Sequence, residues 1–506
     1  MAGERVRRVV IVGGGSAGWM AAAALARLSG PELLTVTLVE SEAIGIVGVG
    51  EATIPHIRVF NRILGLDEDA FMRATQATFK LGIEFRDWVR PGHRYFHSFG
   101  EFGRPIAALP WHQYWLRLRA QGEGGALDEY SLCCAMAAAG RFARPAADPR
   151  SILAGINYAY HFDAALYGRY LRAYAEQRGA VRIEGRVADV ALEGERGLIA
   201  AILLDDGRRI EGDLFIDCTG FGARLLRGAL GVGYRDWSHW LPADRAVAAP
   251  SVNIGPPTPY TRSTARAGGW QWRIPLQHRT GNGYVYSSRY LSDDEATATL
   301  LANLDGAPLT EPRTLRFTTG RPEVFWERNC VALGLASGFM EPLESTSIHL
   351  VETAISRLLA LFPDKDFRQA DIDEYNRYTV AEYEHIRDFL VLHYHANRRV
   401  GEPLWDDVRA MALPETLATR IETFRGAARF LRFGEQLFGE ANWTAVMLGQ
   451  EVTPQSYNLL ADAVPLDRLR HEAAAMRRTV ADAVHRLPPH VAYLAHHCAA
   501  RQEIAA

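Results

Sequence analysis

Lys80 lies in an apolar segment, TFKLG at residues 78–82, where a charged ammonium group is costly to bury unless it has a partner or a chemical task. An ammonium group is a strong hydrogen-bond donor and can polarise a bond in a bound reagent. The alternative is a surface lysine whose aliphatic stem covers apolar neighbours while its charge stays in water. The segment therefore makes Lys80 a candidate functional cation.

Glu344 comes directly before a segment with apolar residues at helical spacing, namely Ile348, Val351, Ala354 and Leu358. A carboxylate at the start of a helix is stabilised by the helix dipole by about 0.3 to 1 kcal/mol. This structural role is one interpretation of Glu344, and a chemical role is the other.

A glycine-rich loop joins two predicted elements near the start of the chain. Val6 to Val12 predicts a strand, residues 13–18 have the form G-x-G-x-x-G, and the alanine-rich segment that follows predicts a helix. A second predicted strand, Thr35 to Val39, ends at Glu40, a spacing that suits an acid accepting from the ribose hydroxyls of a dinucleotide. A chance glycine-rich turn is the alternative. The predicted pyrophosphate-binding residues are Gly13, Gly15, Ser16, Ala17 and Gly18.

Two later segments favour FAD over a nicotinamide cofactor. Residues 186–190 predict a strand, and residues 213–220 predict an apolar strand that ends in D-x-T-G. Such a strand returns the chain to the edge of the sheet where the nucleotide binds, as it does in FAD-binding folds. In those folds the adenine ring packs against a residue that corresponds to Val187. An ordinary sheet strand with a tight turn is the alternative. Since no second strand-coupled G-x-G-x-x-G occurs, we expect no nicotinamide site inside the chain.

Composition disfavours several other classes of protein. Lys and Arg number 56 against 59 Asp and Glu, and without a basic stripe this balance disfavours a nucleic-acid ligand. The 5 cysteines lack C-x-x-C spacing, which fits a reducing cytoplasm. No apolar run reaches the ~18 residues of a membrane helix, so we expect a soluble, cytoplasmic protein. The histidines at 393, 395, 496 and 497 lack a carboxylate at metal-ligand spacing, so no metal site is predicted.

Five segments, in consistent order between residues 13 and 350, closely resemble the flavin-dependent tryptophan halogenases. They are GGGSAGW at 13–19, GVGEATIP at 48–55, FKLGI at 79–83, WQWRIP at 270–275 and GLASGFMEPLEST at 334–346. The resemblance implies an α/β fold class, a Rossmann-like FAD-binding fold of the flavin monooxygenase and halogenase type with a mostly helical substrate-side subdomain.

The resemblance gives Lys80 and Glu344 chemical roles. The matching lysine meets hypohalous acid made at the flavin and either hydrogen-bonds it or forms a haloamine. The matching glutamate lies near that lysine, where it orients the oxidant or takes the proton released from the σ-complex. The family's halide site corresponds to the backbone amides of Thr346 and Ser347, and N–H groups at a helix start do form an anion nest. Ser347 stands where the family often has glycine, a change that keeps the main-chain donor.

The resemblance also implies contacts to the flavin and the substrate. Ala52, Leu335 and Ile348 are placed beside FAD. His97 and Phe99 match a segment that helps to sandwich the indole ring, although a satisfied loop histidine is the alternative for His97. Trp443 is predicted to stack on the same ring, and such stacking contributes about 0.5 to 1.5 kcal/mol per pair.

Trp270 and Trp272 share one face of a predicted strand. They are interpreted either as a core pair or as a wall on the flavin side, and in neither case as catalytic residues.

Residues 1–365 are predicted to form the FAD-binding and halogenation core, and residues 366–506 a helical subdomain packed onto it. In the tryptophan-specific enzymes, the latter region holds a tyrosine pair that grips the amino-acid end of the substrate. Here Tyr457 is solitary, so we expect a more open pocket for indole or a larger indole-bearing molecule.

The predicted enzyme is one half of a two-component system. A separate flavin reductase supplies FADH2, chloride or bromide is oxidised with O2 at the flavin, and Lys80 passes electrophilic halogen to a small electron-rich aromatic. A homodimer is compatible with this prediction. The alternatives are a flavin-dependent aromatic hydroxylase, which needs no Lys80, and a non-enzymatic flavin-binding protein, which consumes no halide.

Overall fold

A computed structural model describes residues 4–30, 32–43, 50–431, 434 and 436–500. Gly48 and Val49 of the GVGEATIP segment lie outside the described residues. The chain divides into two compact units. The first unit comprises Met1–Gln76, Phe162–Asp244 and Arg316–Glu384, and the second comprises Ala77–His161, Arg245–Leu315 and His385–Ala506. The predicted 365/366 boundary therefore lies inside the first unit.

The described strands, in chain order, are β1 (Arg8–Val12), β2 (Thr35–Glu40), β3 (Gly50–Ala52), β4 (Thr78–Lys80), β5 (Gly82–Arg86), β6 (Arg94–Ser98), β7 (Ala159–Asp163), β8 (Val181–Glu184), β9 (Val187–Leu192), β10 (Ile199–Leu204), β11 (Arg209–Glu211), β12 (Leu214–Asp217), β13 (Tyr234–Asp236), β14 (Arg245–Ala248), β15 (Thr261–Arg266), β16 (Gly269–Pro275), β17 (Thr280–Tyr286), β18 (Arg313–Arg316), β19 (Gly320–Pro322), β20 (Trp326–Glu327) and β21 (Cys330–Ala332).

The described α-helices are α1 (Ser16–Ser29), α2 (Ile57–Leu64), α3 (Glu68–Ala74), α4 (Trp111–Ala120), α5 (Leu132–Ala138), α6 (Ala164–Glu176), α7 (Asp293–Ala302), α8 (Ser347–Ala360), α9 (Gln369–His395), α10 (Pro403–Ala410), α11 (Glu415–Ala427), α12 (Glu440–Gly449), α13 (Leu466–Arg486) and α14 (His490–His497). Between Gln369 and His497 the described elements are the helices α9 to α14 and a 3₁₀ helix, Leu459–Ala463. No strand occurs in the described part of this range, as predicted from the sequence.

The first unit is built on a sheet with the strand order β20-β21-β12-β1-β2-β8. All neighbouring strands pair in parallel except β20 with β21. Residues 9–12 of β1 are all buried, as is usual for a parallel strand that is covered on both faces. The register places Val12 opposite Val39 and Asp217, so the segments that follow these three residues meet at one edge of the sheet. This edge is where open α/β sheets bind nucleotides.

The second unit contains a seven-stranded sheet in the order β18-β14-β17-β16-β15-β5-β6. Trp270 and Trp272 lie in β16, which confirms that they belong to a strand and share a face. Outside this sheet, β4 pairs in antiparallel with β7, which places Thr78 opposite His161 and Lys80 opposite Ala159. Among the described residues, no helix has both the length and the apolar character required to cross a membrane.

Candidate functional site

At two positions of the glycine loop after β1, a backbone carbonyl oxygen lies too close for any side chain. Gly13 has φ +113°, and a Cβ there would lie 2.1 Å from the Cys218 carbonyl oxygen. A Cβ on Gly18 would lie 1.9 Å from the carbonyl oxygen of Gly13. A side chain at either position would therefore displace backbone, which explains the spacing of the motif.

The start of α1 presents free amide donors. Gly15 is the N-cap, and within the described chain no side chain caps it. The amide of Trp19 makes the first helical bond, to the Gly15 carbonyl at 3.1 Å, so the amides of Ser16, Ala17 and Gly18 precede the helical ladder. A Cβ on Gly15 would meet no described atom within 4 Å. This open, donor-rich turn fits the pyrophosphate of a dinucleotide such as FAD.

Glu40 ends β2 against this loop, as its spacing predicted. A Cβ on Gly14 would lie 1.5 Å from Glu40 Oε2, so the middle glycine of the run is also required. Glu40 Oε1 accepts a 2.5 Å hydrogen bond from Arg182 Nε, which fixes the carboxylate in place. Sequence reasoning did not single out Gly14 or Arg182, because Arg182 reaches Glu40 from β8, far along the chain.

The D-x-T-G turn is held by Asp217, which is fully buried. One carboxylate oxygen accepts from the amide and hydroxyl of Thr219, and the other accepts from the amides of Leu225 and Leu226. The turn thereby keeps the Cys218 carbonyl against Gly13. Arg224 donates to the carbonyl oxygen of Val187 at 2.8 Å, which links this segment to the predicted adenine-side residue.

The other predicted flavin residues lie on three elements of the first unit. Ala52 is buried in β3, and Ile348 is buried in the first turn of α8. Leu335 lies in a short 3₁₀ helix, Gly334–Ser337. A Cβ on Gly334 would come within 2.7 Å of Ala17 Cβ, so the segment that carries Leu335 packs against the glycine loop.

The predicted halide turn forms the start of α8. Glu344 closes a 3₁₀ turn, Pro342–Glu344, and is 1% exposed. Ser345 has φ +60°, and this left-handed residue turns the chain into the helix. The Leu350 amide bonds the Thr346 carbonyl at 3.0 Å, which leaves the amides of Ser347 and the next two residues as donors. Because Ser347 is the first helical residue, its backbone does not need glycine.

A buried charged cluster lies one turn further along α8. Glu382 accepts from His349 Nε2 at 3.0 Å and pairs with Arg357 at 2.7 Å. These two partners lower the pKa of Glu382 to about 2, against the opposing effect of its burial. Glu352 is 5% exposed, and neither of its oxygens has a hydrogen-bond partner among the described residues. Burial, with the Glu382 charge as a second cause, raises the pKa of Glu352 well above its usual value.

Lys80 ends β4 in the second unit and is 0% exposed. The surface-lysine alternative is therefore wrong for this side chain. Its Nζ lies 5.1 Å from the centroid of the Phe99 ring, which brings the predicted catalytic lysine beside a predicted substrate residue. The sequence holds only one other lysine, Lys365, whose ammonium lies at the surface near Glu4.

His97 and Trp443 meet in one aromatic cluster. The His97 ring lies 5.5 Å from the Phe389 ring, and Phe389 lies 4.8 Å from Trp443 and stacks on Phe438 at 3.9 Å. Asn442 donates to His97 Nε2 at 2.9 Å, and this bond fixes the imidazole. Phe389 and Phe438 carry no local motif, so sequence reasoning did not identify them.

Trp270 and Trp272 behave as a core pair. Their ring centroids are 6.1 Å apart, and Trp270 also lies 6.4 Å from Trp88. A Cβ on Gly283, opposite Trp272 in β17, would lie 2.1 Å from the Trp272 ring, so this glycine makes room for the indole. Among the described residues, no group of three or more His, Cys, Asp or Glu side chains could hold a metal ion.

The chain is similar to a known protein family over most of its length. Residues 8–466 match the family model described as tryptophan halogenase. A tryptophan 6-halogenase of Streptomyces toxytricini is 40% identical over 446 residues, which make up 83% of this chain and 84% of that protein. Flavin-dependent halogenases of known structure from Xanthomonas campestris and Brevundimonas sp. BAL3 are each 49% identical, with TM-scores of 0.95 and 0.94. These two matches cover 98% and 97% of this chain and 99% of each of the other chains.

Proposed function

The chain belongs to the tryptophan halogenase family and is a flavin-dependent halogenase, and we propose that it uses Lys80 to halogenate indole or a larger indole-bearing molecule. The observation that carries this proposal is the complete burial of the Lys80 ammonium beside the Phe99 ring. A hydroxylase and a non-enzymatic flavin-binding protein are not favoured by family membership.

The use of lysine at this position is itself informative. Of the 56 basic residues, all but Lys80 and Lys365 are arginine. Arginine stays charged and cannot lose a proton in a protein, whereas a lysine amine can act as a nucleophile or as a tuned donor. A buried lysine in a chain that otherwise uses arginine favours chemistry at the amine over a simple need for positive charge.

FAD would be held in the first unit by the glycine loop, Glu40, Ala52, Val187, Leu335 and Ile348. The uncapped α1 amides would bind the pyrophosphate, and Glu40 would accept from the ribose. When bound in its reduced form with O2, the flavin supplies the two-electron oxidation of the halide. The reduced flavin would come from a separate reductase.

The halide would be held by the amides of Thr346 and Ser347 at the start of α8. Amide donors that precede the helical ladder stabilise an anion together with the helix dipole. Glu344 would orient the oxidant or take the proton that the arene loses on substitution. Lys80 would either hold hypohalous acid through its ammonium protons or, as the free amine, displace water from hypohalous acid and carry the halogen as a haloamine.

The arene would be held by His97, Phe99 and Trp443. Flat faces suit an electron-rich ring, and the ring carbon that faces Lys80 would be the carbon substituted. The tyrosine pair that grips the amino-acid end of the substrate in the tryptophan-specific enzymes has no counterpart at Tyr457, so we propose indole or a larger indole-bearing molecule over free tryptophan.

The test is a product assay with indole and tryptophan, using the purified chain, a flavin reductase, FAD, NADH, O2 and either chloride or bromide. Mass spectrometry is expected to find halogenated indole in larger yield than halogenated tryptophan. A hydroxylated product would support the hydroxylase instead. Preferential halogenation of tryptophan would overturn the substrate proposal while leaving the halogenase intact.

A further inference from the structure

Two buried histidines contact the strand that carries Lys80. His161 lies in β7 opposite Thr78, and its Nδ1 is 3.0 Å from the Thr78 hydroxyl. His490 begins α14, and its Nε2 accepts from the Phe79 amide at 3.3 Å. His161 is 0% exposed and His490 is 1% exposed. The two residues before Lys80 are therefore each bound by an imidazole.

The hydrogen bonds around His161 select one neutral tautomer. The Thr78 hydroxyl donates its single proton to the Pro275 carbonyl at 2.6 Å, so its oxygen accepts from His161 Nδ1–H. His161 Nε2 lies 2.9 Å from the Thr261 hydroxyl and, being the unprotonated nitrogen, accepts from it. A second proton, on Nε2, would remove this acceptor and would require the Thr261 hydroxyl to turn its oxygen toward the ring instead of its proton.

The contacts of His490 lead to the same tautomer. Its Nε2 accepts from the Phe79 amide, so its Nδ1–H donates to the Pro257 carbonyl at 2.8 Å. Burial lowers the pKa of His490 to about 4. The pKa of His161 is lowered well below its usual value, first by burial, then by the Lys80 charge, and further by Arg273 and by the charge that His490 carries when protonated. Both rings are neutral at neutral pH.

The strand needs such support because β4 is only three residues long, from Thr78 to Lys80. Thr78 and Lys80 project from the same face, so the His161 bond acts on the side of the strand that carries the ammonium. The Thr78 bond to Pro275 also joins β4 to the W-x-W-x-I-P segment. A reacting group displaced by 1 Å can lose about 100-fold in rate, so anchoring of this strand matters for catalysis.

We propose that His161 and His490 are positioning residues for Lys80. They hold β4 in place as neutral donors and acceptors, without adding a second cation beside the ammonium. This inference rests on the proposed function of Lys80.

The test compares His161→Phe, which keeps a flat ring and removes both hydrogen bonds, with Thr261→Val, which removes only the donor to Nε2. Thr379→Val is the matched control, because it removes a buried hydroxyl that donates to the Tyr375 carbonyl within α9. Each variant is assayed for halogenated indole, for reduced flavin consumed, for unfolding temperature and for oxidant that escapes and converts a dissolved thioether to its sulfoxide.

His161→Phe is expected to lower kcat for halogenated indole by about 10- to 100-fold with little change in KM, and to increase sulfoxide per flavin consumed. Thr261→Val is expected to show the same pattern more weakly, and Thr379→Val neither effect. A parallel loss of product and flavin consumption, without more sulfoxide, would indicate general structural damage and overturn the inference.

Lys80→Ala separates this inference from the proposed function. If Lys80→Ala is inactive while His161→Phe and Thr261→Val form product at the wild-type rate, positioning by the histidines is wrong and the role of Lys80 stands. If Lys80→Ala halogenates indole at the wild-type rate, both proposals are wrong.

Discussion

The ammonium nitrogen of Lys80 lies 5.1 Å from the centroid of the Phe99 ring, within the range of a cation–π contact. The pair thus links the residue proposed to deliver halogen to the residues proposed to hold the arene.

Gly13→Ala is expected to abolish FAD binding and to destabilise the fold. The new methyl group would meet the Cys218 carbonyl at 2.1 Å, and φ +113° is unfavourable for alanine, so the loss of stability should exceed about 1 kcal/mol. Gly15→Ala is the matched control for stability of the fold, because a Cβ there meets no described atom within 4 Å. Flavin fluorescence titration and unfolding temperature measure both effects. A Gly13→Ala protein with wild-type stability would contradict the loop geometry.

Ser347→Ala and Ser347→Gly are both expected to keep the KM for halide within about threefold of the wild type. The proposed ligand is the backbone amide, which both changes retain, while glycine costs the helix start only about 0.5 to 1 kcal/mol. Steady-state rates at varied bromide concentration provide the measurement. A tenfold rise in KM for Ser347→Ala would show that the hydroxyl, not the amide, binds the anion.

Trp443→Leu is expected to raise the KM for indole by about 2- to 13-fold, since one stacking contact contributes about 0.5 to 1.5 kcal/mol. The KM for halide should not change. Kinetics with indole and bromide varied separately distinguish the two effects. An unchanged KM for indole would remove Trp443 from the substrate site and leave it as a core residue.

Glu352→Gln is expected to raise the unfolding temperature at pH 7.5. The pKa of Glu352 is raised in the folded state above the usual 4.5. At low pH the carboxyl is therefore neutral in both the folded and the unfolded chain, and its burial carries no charge. As pH rises above 4.5, the unfolded chain ionises this carboxyl first and stability is lost. The amide cannot ionise, so the advantage of the variant should grow with pH and vanish below about pH 4.5.

The measurement is calorimetry of both proteins between pH 4 and pH 8. Glu382→Gln is the control with the opposite expected sign. The pKa of Glu382 is lowered to about 2, so its charge stabilises the fold above pH 4.5 and the variant should unfold at a lower temperature there. A Glu352→Gln protein less stable than the wild type at pH 7.5 would contradict the burial of an uncompensated acid.

Local sequence predicted the nucleotide edge well. The strand, loop, helix and terminal acid from Arg8 to Glu40 form a continuous pattern. Gly13, Gly14 and Gly18 are each required by contacts within this pattern or with the D-x-T-G turn. The start of α8 was likewise predictable, because helical spacing begins at Ile348. The family resemblance was confirmed over residues 8–466.

Long-range packing could not be predicted in this way. Phe389 reaches His97, and His490 reaches Phe79, across about 300 and 400 residues of chain, so no local pattern reports either contact. Both units are assembled from three separate stretches, which a single boundary in the sequence cannot represent. The burial of Lys80 was a hypothesis from the sequence, and its position beside Phe99 required the structure.

The most direct test of the role of Lys80 is the yield of halogenated indole per reduced flavin in Lys80→Ala, with Lys365→Ala as the matched lysine control. Lys80→Ala is expected to lose at least about 100-fold of product while it still binds FAD, and Lys365→Ala to match the wild type within about twofold. Halogenation at the wild-type rate by Lys80→Ala would contradict delivery of halogen through this lysine.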